Sequence, residues 1–233
     1  PVMQDIIKRA QLDVLALQEV EQADLADVVS GLGDEYQAHY FKHAKRPPDG
    51  VLIAVRKAAC DGRTMAAQLQ WKGSVAFGRV DFVHKESGCL VRVVTAHMRG
   101  GNEEQLSALK DFAEAYLTTT HVPDITIITG DFNEDFTDKV TGAHCCPWPK
   151  SSEGEWLTIE RGDDEPDVSR PAHKQGPGQS SGKGKIDWIF VRGRKGGHPV
   201  EPFRDAASRL AIQESHAPCL ATGEWPSDHG CEA

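Results

Sequence analysis

The sequence has 233 residues, 39% of them hydrophobic and 26% charged, with a formal net charge of −9. That length suits one domain with a real core, and no apolar run approaches the roughly 18 residues that a membrane span needs. Proteins that bind nucleic acid through bulk charge are basic, so this chain needs a local basic patch for such a partner, or a small phosphate ester instead.

In chain order, Asp5–Ala10 reads as the end of a helix, and Asp13–Gln18 as a short buried strand that delivers Glu19 at its end. Gln22–Leu32 has helical spacing (Leu25, Val28, Val29, Leu32) and stops at Gly33. Strand-like runs follow at Tyr36–Phe41, Val51–Arg56, Val75–Val83 and Leu90–Ala96. Asn102 caps a predicted helix reaching about Leu117, with Leu106, Leu109, Phe112, Ala113 and Tyr116 on one face. Pro123 breaks it, and two further strands are expected at Asp124–Thr129 and Ile186–Val191. Many strands with few helices between them predict an α/β class: two sheets packed as a sandwich and flanked by helices. Gly, Pro, Ser and charged residues dominate 138–185. The segment is too long for an ordinary connection and has no core of its own, so it reads as an insertion or long loop in one domain spanning 1–233.

The strongest chemical signal is Thr129-Gly130-Asp131-Phe132-Asn133 after an apolar strand. In extended chain, residues two apart point the same way, so Asp131 and Asn133 are expected to aim into one site. An acid with an amide suits a hard cation and an attacking water, although Asp-x-Asn alone is also a common turn. Glu19 follows a strand, and Asp187 lies within Ile186-Asp187-Trp188-Ile189-Phe190, where an acid is costly unless paired. His97 ends another strand, and Asp228-His229 follows Trp225-Pro226-Ser227. Each has a plain structural reading alone. Together they put acids or histidines at the ends of five separate segments, as a sandwich does when it gathers a site at one rim.

These motifs carry a resemblance. "LALQEV", "TAHMRGG", "ITGDFN", "KIDWIF" and "PSDHG" occur in the order and rough spacing of the endonuclease/exonuclease/phosphatase superfamily, from Leu15 to Gly230. The resemblance implies a DNase-like four-layer α/β/β/α fold and a metal-dependent phosphodiesterase or nuclease. It also implies Mg²⁺ as cofactor, with Mn²⁺ as substitute. Glu19 resembles the metal ligand and Asp228 a metal-side carboxylate. Asp131 resembles the group that positions or deprotonates water, and Asn133 its orienting partner. His97 and His229 resemble the phosphate-side histidines, with Asp187 holding the His229 imidazole. Arg46-Pro47-Pro48-Asp49-Gly50-Val51 and Ala96-His97-Met98 are similar to elements of the nocturnin and carbon-catabolite-repressor-type deadenylases. That branch implies RNA, or another adenylate-containing nucleotide, as the partner; a monomer is expected, and with no long apolar run no membrane partner is. Phe132 departs from the tyrosyl-DNA phosphodiesterases, which have Thr before the Asn. Superfamily members open on a strand ending in a metal-site Asn and close on a strand after the last His. Glu19 stands too near the start for the first and His229 too near the end for the second, so the fold is expected to be incomplete at its termini. The contrasting reading is a catalytically inactive member that serves as a binding or scaffold protein.

Other features have plainer readings. Ser181-Gly182-Lys183-Gly184-Lys185 lacks the spacing of a P-loop. His144-Cys145-Cys146 with His173 fits no closed zinc pattern. Trp148 and Trp156 read as anchors of the insertion, with base stacking as the alternative. Cys60, Cys89, Cys145, Cys146, Cys219 and Cys231 form no C-x-x-C pair, which suits reduced thiols in an intracellular protein, cytoplasmic or organellar.

Overall fold

A computed structural model describes residues 7, 12–45, 48–115, 122–138, 140–141, 143, 145–148, 156–158 and 187–193. Asp228 and His229, as well as His144 and His173, lie outside the described residues. Nine strands are described: β1 (Val14–Glu21), β2 (Tyr36–Lys42), β3 (Asp49–Arg56), β4 (Met65–Trp71), β5 (Val75–Val83), β6 (Leu90–His97), β7 (Ile125–Asp131), β8 (Leu157–Thr158) and β9 (Asp187–Gly193). Two α-helices are described, α1 (Leu25–Leu32) and α2 (Glu103–Glu114). The strands form a three-stranded sheet ordered β1-β3-β2 and a six-stranded sheet ordered β4-β5-β6-β7-β9-β8.

Side-chain alternation builds the layers. Val51, Ile53 and Val55 face Val80, Phe82, Val91 and Val93 in one buried cluster between the sheets. Leu52 and Ala54, pointing the other way on β3, pack with Leu15, Val20 and Leu32 on the α1 side. Val94, Ala96 and Ile128 pack with Leu109 and Ala113 of α2. The result is the expected helix–sheet–sheet–helix sandwich.

Helix α2 begins where its cap predicts: the Asn102 carboxamide oxygen accepts the Gln105 N–H at 2.9 Å. Its last carbonyls are taken by buried arginines of the sheet. Arg92 donates to Ala113 O and Ala115 O at 2.8 Å each. The same guanidinium is bidentate to Asp81, at 2.9 and 2.8 Å. Arg79 donates to Phe112 O and Ala115 O.

Three local expectations are corrected. The helix read from Gln22 begins at Leu25, because residues 22–24 form a turn whose Asp24 N–H reaches Glu21 O. Strand β4, Met-Ala-Ala-Gln-Leu-Gln-Trp, carries little strand preference and was not expected; it forms because its backbone extends the β5 edge. Within 138–185, Leu157–Thr158 joins β9 as an edge strand, and Trp148 and Trp156 are 7% and 4% exposed in the α2-side core. Burial excludes them as base-stacking platforms and matches the anchoring reading.

Candidate active site

Register alone gathers half of the site. In the parallel β6–β7 pair His97 stands beside Asp131, and in the antiparallel β7–β9 pair Asp131 stands beside Asp187. Residues level with one another on adjacent strands share a face, so His97, Asp131 and Asp187 form one row at the rim of the large sheet. Counting back in twos through Thr95, Val93 and Val91 puts the row on the face that meets the small sheet. Asp131 and Asp187 are 4% and 9% exposed. His97 Nε2 lies 3.7 Å from Asp131 Oδ2.

The small sheet supplies Glu19, and it does so from inside β1 rather than from its end. Leu17 pairs with Leu52 and Val20 with Gly50, so three steps on β1 match two on β3: one extra residue is accommodated by a bulge. Glu19 takes φ +54° there, an unusual value for a side-chain-bearing residue. The consequence is directional. In unbroken alternation Glu19 would point with Leu15 and Leu17 towards α1, and the bulge turns it to the other sheet. Its Oε1 ends 3.9 Å from His97 Nε2. Beside it, Gln18 Nε2 donates to Thr95 Oγ1 at 2.8 Å, directly between the sheets.

Asn133 reaches the site by a different route from the one expected. Extended alternation does not continue past Asp131, where β7 ends, and Asn133 has φ +50°. Asp131 Oδ1 accepts the Asn133 N–H at 2.7 Å, an Asx turn, and the carboxamide Nδ2 donates to Met98 O at 3.0 Å. Acid and amide are thus coupled by a turn, and the amide is stapled to the residue after His97. Two glycines allow this packing. A Cβ on Gly130 would lie 2.0 Å from Ala96 O, and one on Gly100 2.0 Å from Asn133 O.

Two neighbours carry no role in the sequence reading. His43 and Asp49 are 5% and 4% exposed, and with His97 they offer ligand atoms within 4.8 Å of one another. Asp49 had counted only as part of a deadenylase-like segment, although an acid opening the wholly apolar Val51–Val55 run is itself a signal. The trio does not fit a metal. His43 Nδ1 accepts the Ala76 N–H at 2.9 Å, so a neutral ring carries its hydrogen on Nε2 and has no lone pair left for a cation. Burial holds the His43 imidazole below its ordinary range, against the pull of Asp49 and with help from His97. Around His97 the donors differ. Glu19 and Asp131 approach one imidazole nitrogen from opposite sheets, at 3.9 and 3.7 Å, and carboxylate oxygens are the donors that suit a hard divalent cation.

Comparison with known proteins follows the same line. The Endonuclease/Exonuclease/phosphatase family model matches residues 3–229. No curated protein sequence matches significantly. Among solved structures, ANGEL2, a 2',3'-cyclic phosphatase, matches with TM-score 0.64 at 15% identity, over 98% of this chain and 82% of its own. D. rerio TDP2 complexed with single strand DNA product gives TM-score 0.65 at 16% identity, over 98% and 87%. Truncated Caenorhabditis elegans TDP2 gives 0.61 at 16%, over 98% and 85%. These identities speak for the fold alone, and the sandwich derived above is that fold. With the family's own pattern running through all but a few residues, the chain belongs to the Endonuclease/Exonuclease/phosphatase family, whose members are hydrolytic phosphodiesterases, nucleases and phosphatases.

Proposed function

We propose that this chain is a single-domain, monomeric, Mg²⁺-dependent phosphodiester hydrolase that attacks RNA or another adenylate-containing nucleotide. The observation that carries the reading is the His97–Asp131–Asp187 row with Glu19 facing it from the other sheet. Glu19, with Asp228 from outside the described residues, would hold Mg²⁺, or Mn²⁺ in its place. The bound cation would polarise the phosphoryl group and neutralise charge that develops on it.

The chain's own groups do the remaining work. Asp131, buried and fixed by the Asn133 N–H, is the acceptor for the proton of an attacking water. Asn133, held through Met98, orients that water or a phosphate oxygen. His97 presents its Nε2 to the phosphate side, where a positioned donor stabilises developing negative charge. Asp187 would orient the imidazole of His229, which lies outside the described residues. Exposed Lys42 and Lys45, at the hairpin between β2 and β3, offer local positive charge on an acidic chain. The deadenylase-like Asp49-Gly50 segment favours an RNA-type substrate.

The test is a substrate panel with Mg²⁺ and with EDTA: a poly(A) oligonucleotide, an abasic DNA duplex and NADPH. Mg²⁺-dependent cleavage of poly(A) or NADPH, with the duplex spared, is expected. Cleavage of the duplex alone would overturn the substrate, full activity in EDTA would overturn the metal, and no turnover on any phosphodiester would favour the binding or scaffold reading.

A further inference from the structure

We propose that Gln18 is a positioning residue that sets the metal affinity of the site by locking the β1 bulge to the opposite sheet. The inference rests on the reading of Glu19 as the metal ligand and adds to it what holds that ligand in place. Three observations meet here. Glu19 sits in a left-handed conformation at the single extra residue of the β1–β3 ladder. Such conformations persist in side-chain-bearing residues only where the surroundings over-determine them. Gln18, its immediate neighbour, donates to Thr95 Oγ1 at 2.8 Å. Thr95 is fully buried, lies two residues before His97 on the same face of β6, and is level with Thr129, two residues before Asp131.

The hydrogen bond therefore ties the bulge to the row just behind His97 and Asp131. Gln18 faces the large sheet by the ordinary alternation of β1, on the side of Val14, and the bulge turns Glu19 to that same side. Gln18 anchors to that sheet and Glu19 extends past it to the rim, 3.9 Å from His97. Without the anchor, the stretch of β1 that carries the bulge is no longer fixed to Thr95, and the Glu19 carboxylate loses its set distance from the rim. The loss then falls on the approach of Glu19 to the cation, while the reacting groups on β6 and β7 keep their places.

Mn²⁺ binding to the full chain, followed by electron paramagnetic resonance, tests this without reference to turnover. The variants are Gln18→Leu, Thr95→Val, their double, Thr95→Ser and Glu19→Ala. One intramolecular hydrogen bond is worth about 0.5–1.5 kcal/mol net, which corresponds to roughly a 2- to 12-fold change in affinity. Gln18→Leu and Thr95→Val should each weaken Mn²⁺ binding by that factor. The double should be no weaker than the worse single, and Thr95→Ser, which keeps the hydroxyl, should bind like the parent. In Mg²⁺-saturated assays the two singles should regain most of their kcat. Unchanged Mn²⁺ affinity in both singles, with binding lost in Glu19→Ala, would overturn the role of Gln18 and leave that of Glu19 standing. Unchanged affinity in Glu19→Ala would overturn the metal-ligand reading and this inference with it. Lower melting temperature with unchanged affinity in the singles would make the bond purely structural.

Discussion

Replacing Arg92 by Met separates what holds the sandwich together from what the rim does. The Arg92 guanidinium is 1% exposed, donates twice to Asp81 and takes two carbonyls at the end of α2. Met fills similar volume but leaves Asp81, itself 1% exposed, without its bidentate partner. Arg79 Nε, 3.9 Å from Asp81 Oδ1, is too distant to replace two short bonds. Breaking a buried pair from one side costs about 3–5 kcal/mol. At 2–4 °C per kcal/mol for a chain of this size, the melting temperature should fall by about 6–20 °C. Replacing both partners removes the orphaned carboxylate but takes from the buried Arg79 its neighbouring acid, so the Arg92→Met/Asp81→Leu double should recover part of that loss. Arg92 also lies five residues before His97 on one strand, about 16 Å away at roughly 3.3 Å per residue, so turnover at low temperature should be close to the parent's. Thermal unfolding by circular dichroism, paired with initial rates at 15 °C, measures both. A drop below about 2 °C would refute the reasoning about Asp81, and so would a double variant weaker than the single.

Gly100→Ala should act in the opposite sense: its Cβ would sit 2.0 Å from Asn133 O, and a displacement of about 1 Å at a positioned group can cost about 10²-fold in rate. Parent-like turnover in purified Gly100→Ala would contradict the packing of Met98–Gly100 on Asn133. His43 makes stability depend on pH. Burial lowers its folded pKa below the unfolded value of about 6.5, so the folded chain takes up protons less readily. Its contribution is complete above about pH 6.5 and is lost as pH falls from there through the folded value. In EDTA, denaturant midpoints should therefore decline on acidification below pH 6.5. His43→Gln should flatten that decline, leaving a smaller slope from His39, which burial also lowers. An unchanged slope in the variant would remove His43 from the account.

What sequence carries about this site depends on how each residue gets there. His97, Asp131 and Asp187 were legible because each ends or begins an apolar strand, and three such strands in one sheet must line up their ends. Glu19 was legible as a residue but not in its mechanism. Leu15-Ala16-Leu17-Gln18-Glu19-Val20 gives no local sign that an extra residue enters the ladder, since the bulge exists only relative to β3. Asn133 was found through alternation, yet it arrives through an Asx turn that the same Asp131 closes. His43 and Asp49 meet His97 across the sheet interface, a contact between distant parts of the chain that no local pattern encodes. The α2 cap at Asn102 was readable because the bond it makes is local. Strand β4 was not, because its pairing comes from the β5 edge rather than from its own side chains.

The measurement that bears most directly on the account is the rate of Asp131→Asn in Mg²⁺ on whichever substrate the panel identifies. The substitution keeps size and shape and an oxygen able to accept the Asn133 N–H, so the turn and the melting temperature should stay within reach of the parent. It removes the charge and the proton acceptor, and a positioned acid–base group contributes typically about 10²–10⁴-fold. A fall in kcat of that order, with the fold intact, is the predicted result. Near-parental kcat in Asp131→Asn would contradict the assignment of the His97–Asp131–Asp187 row as the place where water attacks.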